Sequence, residues 1–162
     1  MNSKIKGAML AAMAVAMTCG AVAGDARKGA DYTAHIQGAW ASLVTVRHCV
    51  SGDVLVGPFP GLSTFHQGGT QSETAAGTPT VRRGPGTGLW YRTGKHSFAS
   101  KFVFQRFDLN GFLIGTQEVR ATQEVAEGSM QATAVAKILL LDVNGVQVGT
   151  GCATAELKRI QF

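Results

Sequence analysis

Four histidines (His35, His48, His66 and His96), three cysteines and a few charged clusters are the groups in this chain whose types could do chemistry. A metal centre needs His, Cys or carboxylates at converging spacings, as in H-E-x-x-H or paired C-x-x-C. The histidines here are scattered without such spacing, so no metal and no cofactor is expected. G-x-S-x-G and the phosphate-binding glycine loop are also missing from the sequence. Cys49 beside His48 could form a thiol–imidazole nucleophile, but Cys152 offers Cys49 a different partner. Glu118, Arg120 and Glu124 alternate along one strand face. Acid–base catalysis and a solvated charge ladder both have this spacing, and the ladder is the plainer reading. Arg82, Arg83, Arg92, Lys95 and His96 make a basic loop region, which is either solvated surface or an attractor for an anionic ligand group. With no catalytic signature, the chain reads as a binding protein rather than an enzyme.

The compartment comes from the N-terminus. Lys4 and Lys6 precede an unbroken apolar run, Ala8 to Met17, and Ala21-Val22-Ala23 has the small-x-small form of a cleavage site. This is the pattern of a secretory signal peptide over residues 1–23. The apolar run is well short of the roughly 20 residues a membrane-spanning helix needs, which argues against a retained anchor. Thr18 before Cys19 and Ala16 three places before it argue against a lipoprotein. Cleavage removes two of the fifteen basic residues and lowers the net charge from +5 to +3. That mild balance does not call for a nucleic acid, and no later stretch would hold the product in a membrane. The product is therefore expected in the periplasm or outside the cell. In an oxidising compartment the two remaining cysteines, Cys49 and Cys152, read as a disulfide rather than as two free thiols.

The elements that must position any site are strands. Hydrophobic residues make up 45% of the chain and charged ones 15%, which excludes wholesale disorder. With 21 glycines and only 4 prolines, the composition suits tight turns between packed strands. Residues 24–37 read as a polar leader and 38–162 as one domain. Strand patterns run from Ala39 to Cys49, Leu62 to His66, Thr70 to Thr74, Thr87 to Thr93, Ser97 to Phe107, Phe112 to Val125, Ser129 to Leu141 and Val146 to Ile160. Residues 130–141 have helical propensity, but they sit between two hairpin turns and are assigned to a strand. Asp108-Leu109-Asn110-Gly111 and Asp142-Val143-Asn144-Gly145 share a turn chemistry: Asn and Gly accept positive φ, and Asp bonds the backbone two residues on. Residues 57–61 (GPFPG) and 75–86 read as longer connections.

Eight strands in a meander predict an all-β fold, an eight-stranded antiparallel up-and-down barrel, because closure removes two sheet edges. A two-sheet sandwich is the alternative. Closure would bring Cys49, ending the first strand, against Cys152 in the last. Along residues 113–125, Leu113, Gly115, Val119, Ala121 and Val125 form one face and Glu118, Arg120, Thr122 and Glu124 the other. Small residues on the inner face, such as Gly151 and Ala153, either leave a cavity or make room for Phe102, Phe104 and Trp90 to fill it. Phe102 and Phe104 are the candidate lumen residues.

Gly38-Ala39-Trp40 at the start of the first strand matches the G-x-W pattern of the lipocalin and calycin barrels, and Arg159 near the end of the last strand matches their basic residue packed across that Trp. The chain thus resembles the calycins and the small barrels of allene-oxide-cyclase type, without the T-D-Y motif or the C-terminal helix of true lipocalins. The resemblance implies a barrel closed at one end by Trp40 and Arg159, joined by a cation–π contact, with a ligand mouth at the other. Arg82, Arg83, Trp90 and Arg92 are the candidate mouth residues. The partner implied is a small hydrophobic ligand in the lumen. A cyclase or isomerase, and a filled-core interaction protein, are the alternatives.

Overall fold

The computed structural model describes residues 35–76 and 82–161. The expected signal peptide, the expected leader up to residue 34 and residues 77–81 of the 75–86 connection lie outside the described residues. The strands are β1 (Gly38–Arg47), β2 (Val54–Phe65), β3 (Thr70–Ala75), β4 (Arg82–Arg83), β5 (Gly86–Arg92), β6 (Ser97–Phe107), β7 (Leu113–Val125), β8 (Gln131–Leu141) and β9 (Gln147–Arg159). Every pairing is antiparallel, β1 pairs with both β2 and β9, and β6 with β7 completes the ring. The result is a closed barrel of eight strands, consistent with a calycin-like fold; among the described residues there is no helix.

The ninth strand is a fragment. β4 pairs Arg82 and Arg83 with Phe107 and Arg106, while β5 pairs Thr87 to Arg92 with Val103 to Phe98. Both lie on the same edge of β6, so β4 and β5 form one stave interrupted at Gly84-Pro85. Proline has no N–H to give the ladder, and the Gly84 N–H keeps the line by donating to Gln105 O at 2.9 Å.

Two sequence expectations change. Residues 57–61 are not a connection but the middle of β2, and Pro60 faces Leu43 in β1. The prolines are accommodated beside register shifts between Val44 and Val46 and between Val46 and Arg47, where a bulge frees the strand from strict pairing. The fold also begins before residue 38: the Ile36 side chain is fully buried, and its carbonyl accepts the indole N–H of Trp40 at 2.7 Å.

Both D-x-N-G turns close alike. Asp108 Oδ1 accepts the N–H groups of Asn110 (2.9 Å) and Phe112 (2.8 Å). Asp142 Oδ1 accepts those of Asn144 and Val146 at the same distances. These two turns and the 48–53 turn stand at one end of the barrel, and the 66–69, 93–96 and 126–130 turns at the other.

That second end is plugged. Ile36, Trp40, Phe65, Phe98, Val125, Ala132 and Leu157 form a buried cluster, with Trp90 packed edge-on against Phe65 and Phe98. The Arg159 guanidinium lies 4.3 Å from the Trp40 ring centre. It also donates to three carbonyls: Ser129 O at 2.6 Å, Gln37 O and His35 O. A planar five-donor fork is suited to hold the entry segment and the 126–130 turn at once.

The Cys49–Cys152 disulfide spans Cα atoms 5.2 Å apart at the unplugged end and links positions 103 residues apart. In the chain-entropy account, closing a loop of that length restricts the unfolded chain strongly. Replacing both cysteines by serine is therefore expected to lower unfolding stability by about 2–4 kcal/mol, read as a shifted denaturant midpoint; an unchanged midpoint would show that the bond constrains little.

Candidate functional site

Above the plug the barrel is open. The lumen holds a cavity of about 320 Å3, at the low end of the roughly 300–1,000 Å3 typical of small-molecule sites. Strand pairing explains why it is not filled. Ala121, Ala136 and Ala153 stand side by side across β7, β8 and β9, and Ala134 and Ala155 do the same one step nearer the plug. Ala121, Ala134, Ala136 and Ala153 all line the cavity. A wall of single methyl groups leaves space that an eight-stranded barrel of larger side chains would fill.

The adjoining wall carries the aromatic residues. Phe102 and Phe104 are stacked with centres 6.3 Å apart, and both line the lumen. Gly86 makes room there: a Cβ at this position would lie 2.9 Å from Glu73 Oε2 and 3.1 Å from Phe102 Cδ2. At the open end Val46, Phe59, Arg106, Gln117, Ile138 and Leu140 form the rim of the cavity.

The lumen is also polar in places. Glu73 of β3 and Arg83 of β4 form an ion pair inside it, with side chains only 8% and 9% exposed. The Arg83 guanidinium lies over Phe104, 3.6 Å from the ring centre, which adds a cation–π contact. Burial pushes the Glu73 carboxyl above its ordinary pKa, and Arg83 pulls it part of the way back. Nearer the plug, Gln71 and Gln123 are each 3% exposed, and each has an Oε1 with no hydrogen-bond partner. Gln123 Nε2 donates to Ser100 Oγ at 2.6 Å. Ser42 and Ser63, both buried, share this lower part of the lumen.

The residues singled out in the sequence separate accordingly. Phe102, Phe104 and Arg83 lie in the lumen. Arg82 is on the outside of the broken stave. Trp90 and Arg92 lie at the plugged end, not at a mouth. Trp90 Nε1 donates to His66 O at 3.0 Å, and Arg92 sits over Phe98 and bonds the Gly94 carbonyl. The reason is strand direction: β5 runs toward the plug, so its last residues and the 93–96 turn are carried there. Gln71, Glu73, Arg106, Gln117 and Gln123 were not singled out. For Gln117 and Gln123 a signal existed, since they share the odd-numbered parity of Val119, Ala121 and Val125.

Outside the lumen the chemistry is structural. Glu118 is paired on the outer wall with Lys101 (2.7 Å) and Arg120 (2.6 Å), and hydrogen bonding to Lys101 holds its carboxyl below its ordinary pKa. His48 Nδ1 and Asp53 Oδ2 both contact Ser51 Oγ, at 3.0 and 2.6 Å, in an exposed turn. The Asp there bonds the serine and not the far ring nitrogen of the histidine, so the three do not form a charge-relay triad. Among the described residues no cluster of three His, Cys, Asp or Glu side chains could hold a metal ion, and no helix is long and apolar enough to cross a membrane. Compared with known proteins, the sequence matches no family model and no curated protein.

Proposed function

We propose that this chain is an exported binding protein that holds a small, largely apolar molecule in the barrel lumen. The observation that carries this reading is the unfilled cavity behind the alanine wall, lined by Phe102, Phe104, Val119 and Ile138 and closed below by the plug. Kinship with the calycins would agree with it, as would cleavage after Ala23 and release outside the cytoplasm, where the disulfide is stable. Neither nucleic acid nor a membrane is needed as a partner.

Mass spectrometry on protein exported from its host tests the proposal. Extra mass under native conditions that disappears on denaturation would be the ligand, and the denatured mass would also report cleavage and the oxidised cysteine pair. The variant Ala136→Phe places a ring in the lumen. It is expected to keep the fold, at a cost of about 1–3 kcal/mol for overpacking, and to lose the ligand. Retention of the same ligand by this variant would place the binding elsewhere.

One observation favours a second reading, a cyclase or isomerase. Glu73 is a lumen carboxyl whose pKa is raised by burial, a change in the direction that favours proton transfer by a carboxyl group. Incubating the recovered ligand with the protein in D2O tests it: deuterium on a carbon position, lost in Glu73→Gln, would support catalysis, and an unchanged ligand would sink it.

A further inference from the structure

The lower lumen makes a demand that the apolar walls do not. Gln71 and Gln123 project into it from β3 and β7, almost wholly buried, and the unpaired atom of each is a carbonyl oxygen. Buried polar atoms are rarely left without partners, because an unmet acceptor costs free energy that an apolar side chain of the same shape would not. Leucine at either position would suit the neighbouring Phe65, Leu157 and Ala134. Two such acceptors in one part of one cavity therefore point to an occupant that supplies hydrogens.

We infer that the ligand is an amphiphile whose polar end is hydroxylated and lies at the floor of the lumen, donating one hydrogen bond to Gln71 Oε1 and one to Gln123 Oε1, while its apolar part extends past Phe102 and Phe104 toward the open rim. This rests on the lumen being a ligand site. The sign of the floor sets the chemistry. A carboxylate or phosphate end would bring negative oxygens against two carbonyl oxygens that themselves need donors. An ether or ester end would bring acceptors alone. A vicinal diol supplies two donors from adjacent carbons. Higher up, Arg83 is already matched by Glu73, so an acidic group gains little beside Phe104, and Arg106 stands at the rim, at the opposite end of the cavity from the two glutamines.

The test titrates the exported protein, by calorimetry or NMR, with three probes of equal chain length: octane-1,2-diol, 1,2-dimethoxyoctane and octanoate. The diol is expected to bind at least ten-fold more tightly than its dimethyl ether, about the worth of one well-made hydrogen bond, with octanoate weakest. In Gln71→Leu and Gln123→Leu the advantage of diol over ether should shrink toward one; the ligand-free melting temperature should rise in Gln71→Leu, where an unmet carbonyl is removed, and less in Gln123→Leu, which also gives up the bond to Ser100. Gln→Met at the same positions gives a flexible substitute if a leucine variant does not fold, and the diol–ether comparison on the unaltered protein stands without any variant. Equal binding of diol and ether would overturn the inference and leave the lumen as a binding site. A diol preference that survives both leucine variants would also overturn it, since the donors would then be met elsewhere. Binding of none of the three would remove the inference together with the reading of the lumen as a ligand site.

Discussion

Trp40→Ala is expected to lower unfolding stability by about 3–5 kcal/mol, the range for removing a large aromatic side chain from a packed interior. Three losses coincide at this position. The ring is fully buried in the plug among Ile36, Phe65 and Leu157, and truncation leaves a hole there. The indole N–H donates to Ile36 O, so that carbonyl loses its partner inside the protein. The Arg159 guanidinium loses the surface it stacks on while still holding the carbonyls of Gln37 and Ser129. A domain of this size has only about 5–15 kcal/mol of total stability, so the variant should be partly unfolded at moderate temperature. Trp40→Phe keeps most of the packing and drops the N–H, and should sit between the two. Denaturant melts of the three proteins measure the effect, and a loss below about 1 kcal/mol for the alanine variant would mean that the plug is not what holds the barrel closed.

The second large effect belongs to the ion pair in the lumen. Arg83→Ala leaves the Glu73 carboxylate buried without its cation, and breaking a buried pair in this way typically costs about 3–5 kcal/mol. Replacing both residues, with Glu73→Leu and Arg83→Met, removes the two charges together and is expected to be neutral or stabilising, because each ion gave up its hydration to enter the barrel. A double variant as unstable as the single one would show that the pair itself is needed for the fold. The pH dependence has a definite sign. Burial raises the folded-state pKa of Glu73 above that of the unfolded chain, so the folded protein binds more protons. Its contribution to stability is fully present below the ordinary glutamate pKa and is lost as the pH climbs through the higher folded-state value. Urea melts across that window should show stability falling with rising pH in the unaltered protein and a flatter profile in Glu73→Gln.

How much of this could be read in the sequence depended on contrast between strand faces. β7 alternates charged and apolar residues, so its inner face was visible, as were the D-x-N-G turns and the pairing of Cys49 with Cys152. β3, Thr-Gln-Ser-Glu-Thr-Ala, is polar on both faces. Nothing in it distinguishes the outward Ser72 and Thr74 from the inward Gln71 and Glu73, and these two polar residues of the lumen were hidden there. β2 was obscured by Pro58 and Pro60, which read as loop residues because the bulges that admit them are a property of the pairing with β1. Basic residues in a turn suggest a mouth, whereas the direction of the stave decides the end and carries Trp90 and Arg92 to the plug. Counting strands alternately up and down from Trp40 would have placed them at the plug.

The chain enters and leaves the barrel at the same end. The His35 N–H bonds Ser129 Oγ at 2.9 Å, and the Ile160 N–H bonds Ala39 O at 2.9 Å, both beside the plug. The rim formed by Val46, Phe59 and Leu140 is at the far end. A tether of any kind attached upstream of His35 or downstream of Gln161 would hold the barrel upright with its rim facing away from the support. Immobilised by either terminus on a sensor surface or a bead, the protein would present the lumen to the solution without obstruction, and a fluorescent partner fused there would sit behind the plug, reporting the whole molecule without blocking the rim.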